Sequence, residues 1–105
     1  MKGGRLGDTL ETQSTITAWA DAVGITAEPV RAVMRAGEEL HEAIADLQVG
    51  AVEDAGVELA DVVICLFVAA SKMGVDLQAE IDAKMSINRK RQWRVDETGS
   101  AYHVK

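Results

Sequence analysis

Apolar positions recur along this chain at helical rather than strand spacing. Residues 1–7 carry three glycines and no pattern. Asp8-Thr9-Leu10-Glu11 then has the form of a capping box, an acidic cap with Glu three residues on. A first helix is predicted from there to about Val23, with Leu10, Ile16, Trp19, Ala20 and Val23 near one stripe and Gly24 as its stop. Thr26 offers a cap for a second helix, with Pro29 accommodated in its first turn. Val30, Val33, Met34, Leu40, Ile44 and Leu47 supply its apolar positions, and Gly50 breaks it. A third helix is expected from near Ala51 to about Met73. Its second half, Val62–Ala70, is apolar nearly all round, as in a helix that is central to a bundle or faces both its own core and another subunit. Gly74 stops it. Asp76 can cap a fourth helix, Leu77 to about Trp93, with Leu77, Ile81, Met85 and Asn88 along one side.

The expected fold class is therefore all-α, a four-helix bundle-like protomer completed by oligomerisation. The domain is expected over residues 1–94, with 1–7 a loose N-terminal tail and 95–105 a C-terminal tail of no clear period. A chain of 105 residues supports one modest core, and further copies would help bury its apolar surface. A single proline and an aromatic content of 4% agree with the helical reading.

Charge and cysteine usage narrow the function. The formal net charge of −6 works against nonspecific binding to nucleic acid or to an anionic membrane. An acidic protein whose ligand is also anionic needs a cation between them. Cys65 is the single cysteine, so the chain forms no internal disulfide and has no cysteine cluster for zinc; a small buried core residue is expected there. The longest strongly apolar run, about ten residues, is too short to span a bilayer, and Met1–Arg5 holds no apolar signal core. A cytoplasmic location is the expectation.

The informative feature is the spacing of acids. The second helix carries Glu38-Glu39-Leu40-His41-Glu42 and the third Glu58-Leu59-Ala60-Asp61. Residues three apart share a helix face, so Glu39 projects with Glu42 and Glu58 with Asp61. Glu42 and Glu58 each lie eight residues from Gly50, and Glu39 and Asp61 each eleven. Folding the helices back at Gly50 sets Glu42 level with Glu58 and Glu39 level with Asp61, roughly 12–16 Å from the turn at the α-helical rise. Four carboxylates in an apolar neighbourhood must take protons or hold a cation. Hard oxygen donors suit Mg²⁺, with Mn²⁺ as the alternative, and Mg²⁺ is commonly shared with a substrate's phosphates. A single ExxE would be an ordinary solvated helix face; the paired spacing is what carries the reading.

Glu38 and His41 form an ExxH pair of the kind di-iron bundles use, but such sites need the motif on two helices and a further Glu from each of two others. The fourth helix offers only Glu80, and His103 lies in the tail. At the other end of the chain, Lys84, Arg89, Lys90, Arg91 and Arg94 crowd together. Lys84, Asn88 and Arg91 fall at i, i+4 and i+7, one helix face suited to phosphate oxygens. Cations at a helix C-terminus also interact well with the helix dipole, which is the competing explanation. Trp19 and Trp93 could stack on a base, and packing explains each as readily.

Glu38-Glu39-x-x-Glu42, then Glu58-x-x-Asp61, then Lys84-x-x-x-Asn88-x-x-Arg91 resembles the MazG-like members of the all-α nucleoside triphosphate pyrophosphohydrolase superfamily, over roughly residues 30–94. The resemblance implies Mg²⁺-dependent cleavage of nucleoside or deoxynucleoside triphosphates to the monophosphate and pyrophosphate. It implies Glu39, Glu42, Glu58 and Asp61 as metal ligands and Lys84, Asn88 and Arg91 as phosphate contacts. Glu39 and Glu38 stand as its catalytic candidates, Glu38 orienting water or accepting its proton. On the same likeness the base pocket would be built from the first helix, which carries Trp19, and a partner chain, and the assembly would be a dimer or dimer of dimers. A non-hydrolytic nucleotide- or metal-binding module and a structural helical oligomer are the competing functions.

Overall fold

The structure, a computed structural model, describes residues 10–105. Four helices and a short hairpin follow in order: α1 Gln13–Ala22, α2 Pro29–Gln48, α3 Val52–Lys72, α4 Leu77–Lys90, β1 Trp93–Val95 and β2 Ala101–His103. They divide into two compact units, the first running to Val75 and the second from Asp76 to Lys105. No helix among the described residues is long and apolar enough to cross a membrane.

In the first unit, α1 begins later than its expected cap. Asp8 and Thr9 lie outside the described residues, Leu10 precedes the helix and is exposed, and the N-cap is Thr12. Thr12 accepts from the Thr15 amide and Thr15 Oγ1 accepts from the Thr12 amide, at 3.2 and 2.8 Å, a reciprocal box worth about 1 kcal/mol. For α2 the cap is Glu28 rather than Thr26. A proline at the first helical position presets φ for the helix and holds the residue before it extended, and Glu28 sits at ψ 155°.

Between α2 and α3 the chain reverses over three residues. Gly50 takes φ +76°, a left-handed conformation that would cost about 1 kcal/mol with a β-carbon. The Ala51 amide closes the turn on the Asp46 carbonyl at 2.8 Å. The long hairpin that results packs through small residues. The buried face of α2 is Ala32, Ala36, Glu39 and Ala43, not the stripe of larger residues the sequence suggests. Val30, Val33, Met34, Leu40, Ile44 and Leu47 stay exposed, because the alanine face lets the two backbones come close and turns the bulky face away. In α3 the buried positions are Ala55, Val68, Ala69 and Ala70. Ala20, Ala32, Val68 and Ala69 form the core cluster, with Ile16 and Ile25 against it. A polar seam fixes α1 to the end of α3. The Gln13 side-chain amide donates to the Val75 carbonyl at 2.7 Å, Thr17 and Ser71 share a short hydroxyl hydrogen bond, and Lys72 reaches the Ile25 carbonyl.

In the second unit, Asp76 caps α4 by accepting from the Ala79 amide. The helix ends at Lys90, not near Trp93. Arg91, at ψ 156°, is already extended, so it does not continue the face that carries Lys84 and Asn88. The tail, expected to lack a pattern, forms an antiparallel hairpin pairing Trp93 with His103, Arg94 with Tyr102 and Val95 with Ala101. Its loop is organised by Asp96, whose Oδ1 accepts from the Thr98 amide, the Thr98 hydroxyl and the Ser100 amide. The hydroxyl bond above all holds the Asp96 carboxyl below its usual range. The Trp93 indole N–H donates to the Asn88 carbonyl at 2.8 Å and ties the hairpin back to α4.

Candidate functional site

The antiparallel hairpin brings the acids together. Glu39 is 6% exposed and is the one buried charged residue among those described. It sits in the alanine face of α2 and so is carried inward with it. From α3, the half-buried Glu58 and Asp61 meet it, and one carboxylate oxygen of each of the three lies within 4.8 Å of the others. Glu42, one turn along α2, is exposed, and its charge bears on Glu58. Desolvation first, then the charges of Glu42 and Glu39, push the Glu58 carboxyl up to about 7.

That arrangement fits a divalent cation. The donors are all hard oxygens, and ligand atoms around one ion at 2.0–2.6 Å lie up to about 4–5 Å apart. Among the described residues, the guanidinium of Arg35 reaches one of these acids, bridging Glu39 Oε1 at 3.1 Å.

Arg35 and Arg31 were not among the sequence candidates. Arg35 also donates to Glu38 Oε1 at 3.3 Å, and Arg31 lies 3.9 Å from Glu38 Oε2. The charge of Glu39, then the bond to Glu38, raises the Arg35 pKa. The signal was available: an arginine that stands three residues before one glutamate and four before the next is paired with both by helix geometry. Glu38 itself is exposed and faces these arginines. His41 is exposed and stands apart from the group formed by Glu39, Glu58 and Asp61.

Beside the acids opens a cavity of about 420 Å³ between α1, the segment after it, α2 and α3. Trp19, Ile25, Ile64 and Val68 give it apolar walls, Arg31 and Arg35 line one side, and Glu39 and Asp61 lie at its acidic end. Trp19 is half-exposed, so its ring is open to a ligand. Cys65 also lines this cavity and is half-buried, not a sealed core residue; burial pushes its thiol up.

The second unit holds the remaining candidates. Lys84 is exposed on α4, and Asn88 is half-buried one turn on. The Asn88 side-chain nitrogen meets Met85 Sδ at 3.7 Å, and its Oδ1 is shielded from solvent with no hydrogen-bond partner among the described residues. Arg91 is exposed at the helix end, and Trp93 is packed by its own hairpin, with its ring 6.1 Å from that of His103.

No family model matches the chain. Two phage proteins, each named dATP/dGTP diphosphohydrolase, do. One, from Salmonella phage PMBT28, is 35% identical over 98 residues; the match takes in 93% of this chain and 32% of that protein, so the chain spans about a third of its length. The other, from Cyanophage S-2L, is 33% identical over 94 residues, 90% of this chain and 86% of the relative. Among solved structures, the Cyanophage S-2L MazG-like pyrophosphohydrolase, bound to dGDP and three catalytic Mn²⁺ ions per active site, superposes with a TM-score of 0.70. It is 31% identical, with 89% of this chain and 92% of that one covered. A helical chain whose central hairpin gathers carboxylates, and which matches that relative over nearly its whole length, belongs to the MazG-like pyrophosphohydrolases, hydrolases acting on phosphoric anhydride bonds.

Proposed function

We propose that this chain cleaves nucleoside triphosphates, deoxynucleotides among them, to the monophosphate and pyrophosphate with the help of Mg²⁺ or Mn²⁺. The observation that carries the reading is the convergence of Glu39, Glu58 and Asp61 beside a nucleoside-sized cavity. Glu39, Glu58 and Asp61, with Glu42 from the next turn, would hold the metal. A divalent ion bound there supplies charge neutralisation, polarisation of the phosphoryl group and a water of lowered pKa. The dGDP and Mn²⁺ bound by the S-2L relative support the same assignment.

The protein's own groups do the positioning. The apolar walls of the cavity take a nucleobase out of water, and the open face of Trp19 offers it a stacking surface. Lys84, Asn88 and Arg91 are assigned to the phosphates on the family pattern and on their chemistry, two cations and an amide donor. The exposed bulky stripe of α2, which includes Val33, Leu40, Ile44 and Leu47, supports assembly as a homodimer or a dimer of dimers. Nucleic acid and membrane are not among the expected partners, and the cytoplasm is the expected location.

The test is a pyrophosphate-release screen over the common ribo- and deoxyribonucleoside triphosphates with Mg²⁺ and with Mn²⁺. Pyrophosphate and monophosphate in equal amounts, lost in the Glu39→Gln variant, are expected. Nucleotide binding without pyrophosphate release would leave a binding module; no effect of nucleotide or ion on melting temperature would leave a structural oligomer.

A further inference from the structure

We infer that Arg35 is a positioning residue that holds Glu39 in its metal-binding orientation, and that Glu38 acts through Arg35. The inference rests on the metal-site reading above and goes beyond it in giving Glu38 and Arg35 their roles.

Four side chains on one side of α2 form a continuous ladder of alternating charge. Arg31 lies 3.9 Å from Glu38, Glu38 accepts from Arg35 at 3.3 Å, and Arg35 reaches Glu39 at 3.1 Å. The pairs are three, four or seven residues apart, so they share a face by helix geometry. The exposure of the four differs in an informative way. Arg31, Arg35 and Glu38 have side chains 59%, 59% and 50% exposed, and Glu39 8%. Exposed ion pairs add little to stability, so the ladder is weak as a staple. Its effect concentrates at the buried end. There a buried carboxylate without a counter-charge is left unpaired, with nothing on its own helix to hold it toward Glu58 and Asp61.

A carboxylate offers about four lone-pair sites. Glu39 can therefore hold the guanidinium and an ion together. The planar fork of Arg35 fits this use. One nitrogen, Nη2, serves Glu39, and the other, Nη1, serves Glu38, so the two acids fix the plane of the group between them. Glu38 is thereby committed to two arginines. The adjacent pair of glutamates divides into a ligand and the partner of that ligand's brace.

The test is Mn²⁺ binding, measured by calorimetry or electron paramagnetic resonance on the full chain without nucleotide, together with steady-state kinetics. Arg35→Ala is expected to weaken Mn²⁺ binding roughly 10- to 100-fold, the usual effect of losing a partner that orients a metal ligand. Arg35→Lys, a point charge that can serve only one acid at a time, should recover part of that loss. Glu38→Gln should weaken Mn²⁺ binding by a smaller factor, and its effect should vanish when made on the Arg35→Ala background, the signature of coupled residues. Circular dichroism checks that each variant folds.

Wild-type Mn²⁺ affinity in a folded Arg35→Ala variant overturns the inference, as does an undiminished Glu38→Gln effect on the Arg35→Ala background. So does a Glu38→Gln variant that binds Mn²⁺ normally but loses turnover and the acid limb of its pH profile. Loss of nucleotide affinity alone in Arg35→Ala would make Arg35 a substrate contact instead, and also overturns it. Glu39→Gln separates the two levels: if it leaves Mn²⁺ binding intact, the metal site itself is wrong; if it abolishes binding while Arg35→Ala does not, only the brace fails.

Discussion

The two units of this protein carry charge in opposite ways. Up to Val75 the chain holds 12 of its 17 acids and 5 of its 11 basic residues; from Asp76 on it holds 5 acids and 6 basic residues, five of these between Lys84 and Arg94. In the first unit, like charges are forced together by a backbone that cannot separate them, since Gly50 and the alanine face fix the approach of α2 to α3. In the second, most of the like charges gather at the C-terminal end of α4, where the helix dipole favours cations and solvent screens them. The acid cluster therefore sets like charges close together in a partly buried place, while the basic cluster spreads its charges into solvent. Only the first demands an explanation in terms of function.

The largest effect that would break this contrast is at Asp61. Asp61→Asn should lower turnover about 10³-fold and abolish the rise in melting temperature with Mn²⁺. Its ion-free melting temperature should hold or rise, because one repelling charge is gone. A fall of several degrees would show that the acids are structural. Lys84→Ala sharpens the other side. A kcat/KM loss of about 10-fold at unchanged Mn²⁺ affinity is expected if its charge serves the phosphates; unaltered kinetics would leave Lys84 to the helix end alone.

The smallest effect is the most diagnostic of repulsion. Glu58 in an unfolded chain ionises near 4.5, and in the fold its carboxyl is pushed up to about 7. Between those values the folded chain binds more protons than the unfolded one, so ion-free stability is highest below the lower value and declines as pH rises through the window. Melting curves without divalent ion should fall by a few degrees from pH 5 to 7.5. Saturating Mn²⁺ should restore the loss at pH 7.5 and do little at pH 5, and Glu58→Gln should flatten the ion-free slope.

What the sequence made legible was what depends on local geometry. The helix breaks at Gly24, Gly50 and Gly74, the Asp76 cap and the pairing of acids about Gly50 all follow from spacing. The register that sets Glu42 by Glu58 and Glu39 by Asp61 needs only a turn and a helical rise. The illegible parts depend on competition between equally good local choices. Thr26 was a sound cap until Pro29 imposed extension on Glu28. The bulky stripe of α2 was as good a core face as Ala32, Ala36 and Ala43, and only the partner helix decided between them. Arg91 lost its helical place to a hairpin whose strands are three residues long, too short to show a period. Arg35 is not marked by the spacing of the acids or by the basic end of α4; only the counter-charge that a buried Glu39 needs, one turn before it, points to it.

The methyl groups of Ala36 and Ala43 flank Glu39 on the face pressed against α3, at 4% and 1% exposure. They act as shims. The gap they leave between the helices sets the spacing of the oxygens from 39, 58 and 61, and hence the radius of any ion that the proposed site would hold. A valine at either position would prise the hairpin apart at the level of the carboxylates, favouring a larger ion over a smaller one without touching a single ligand.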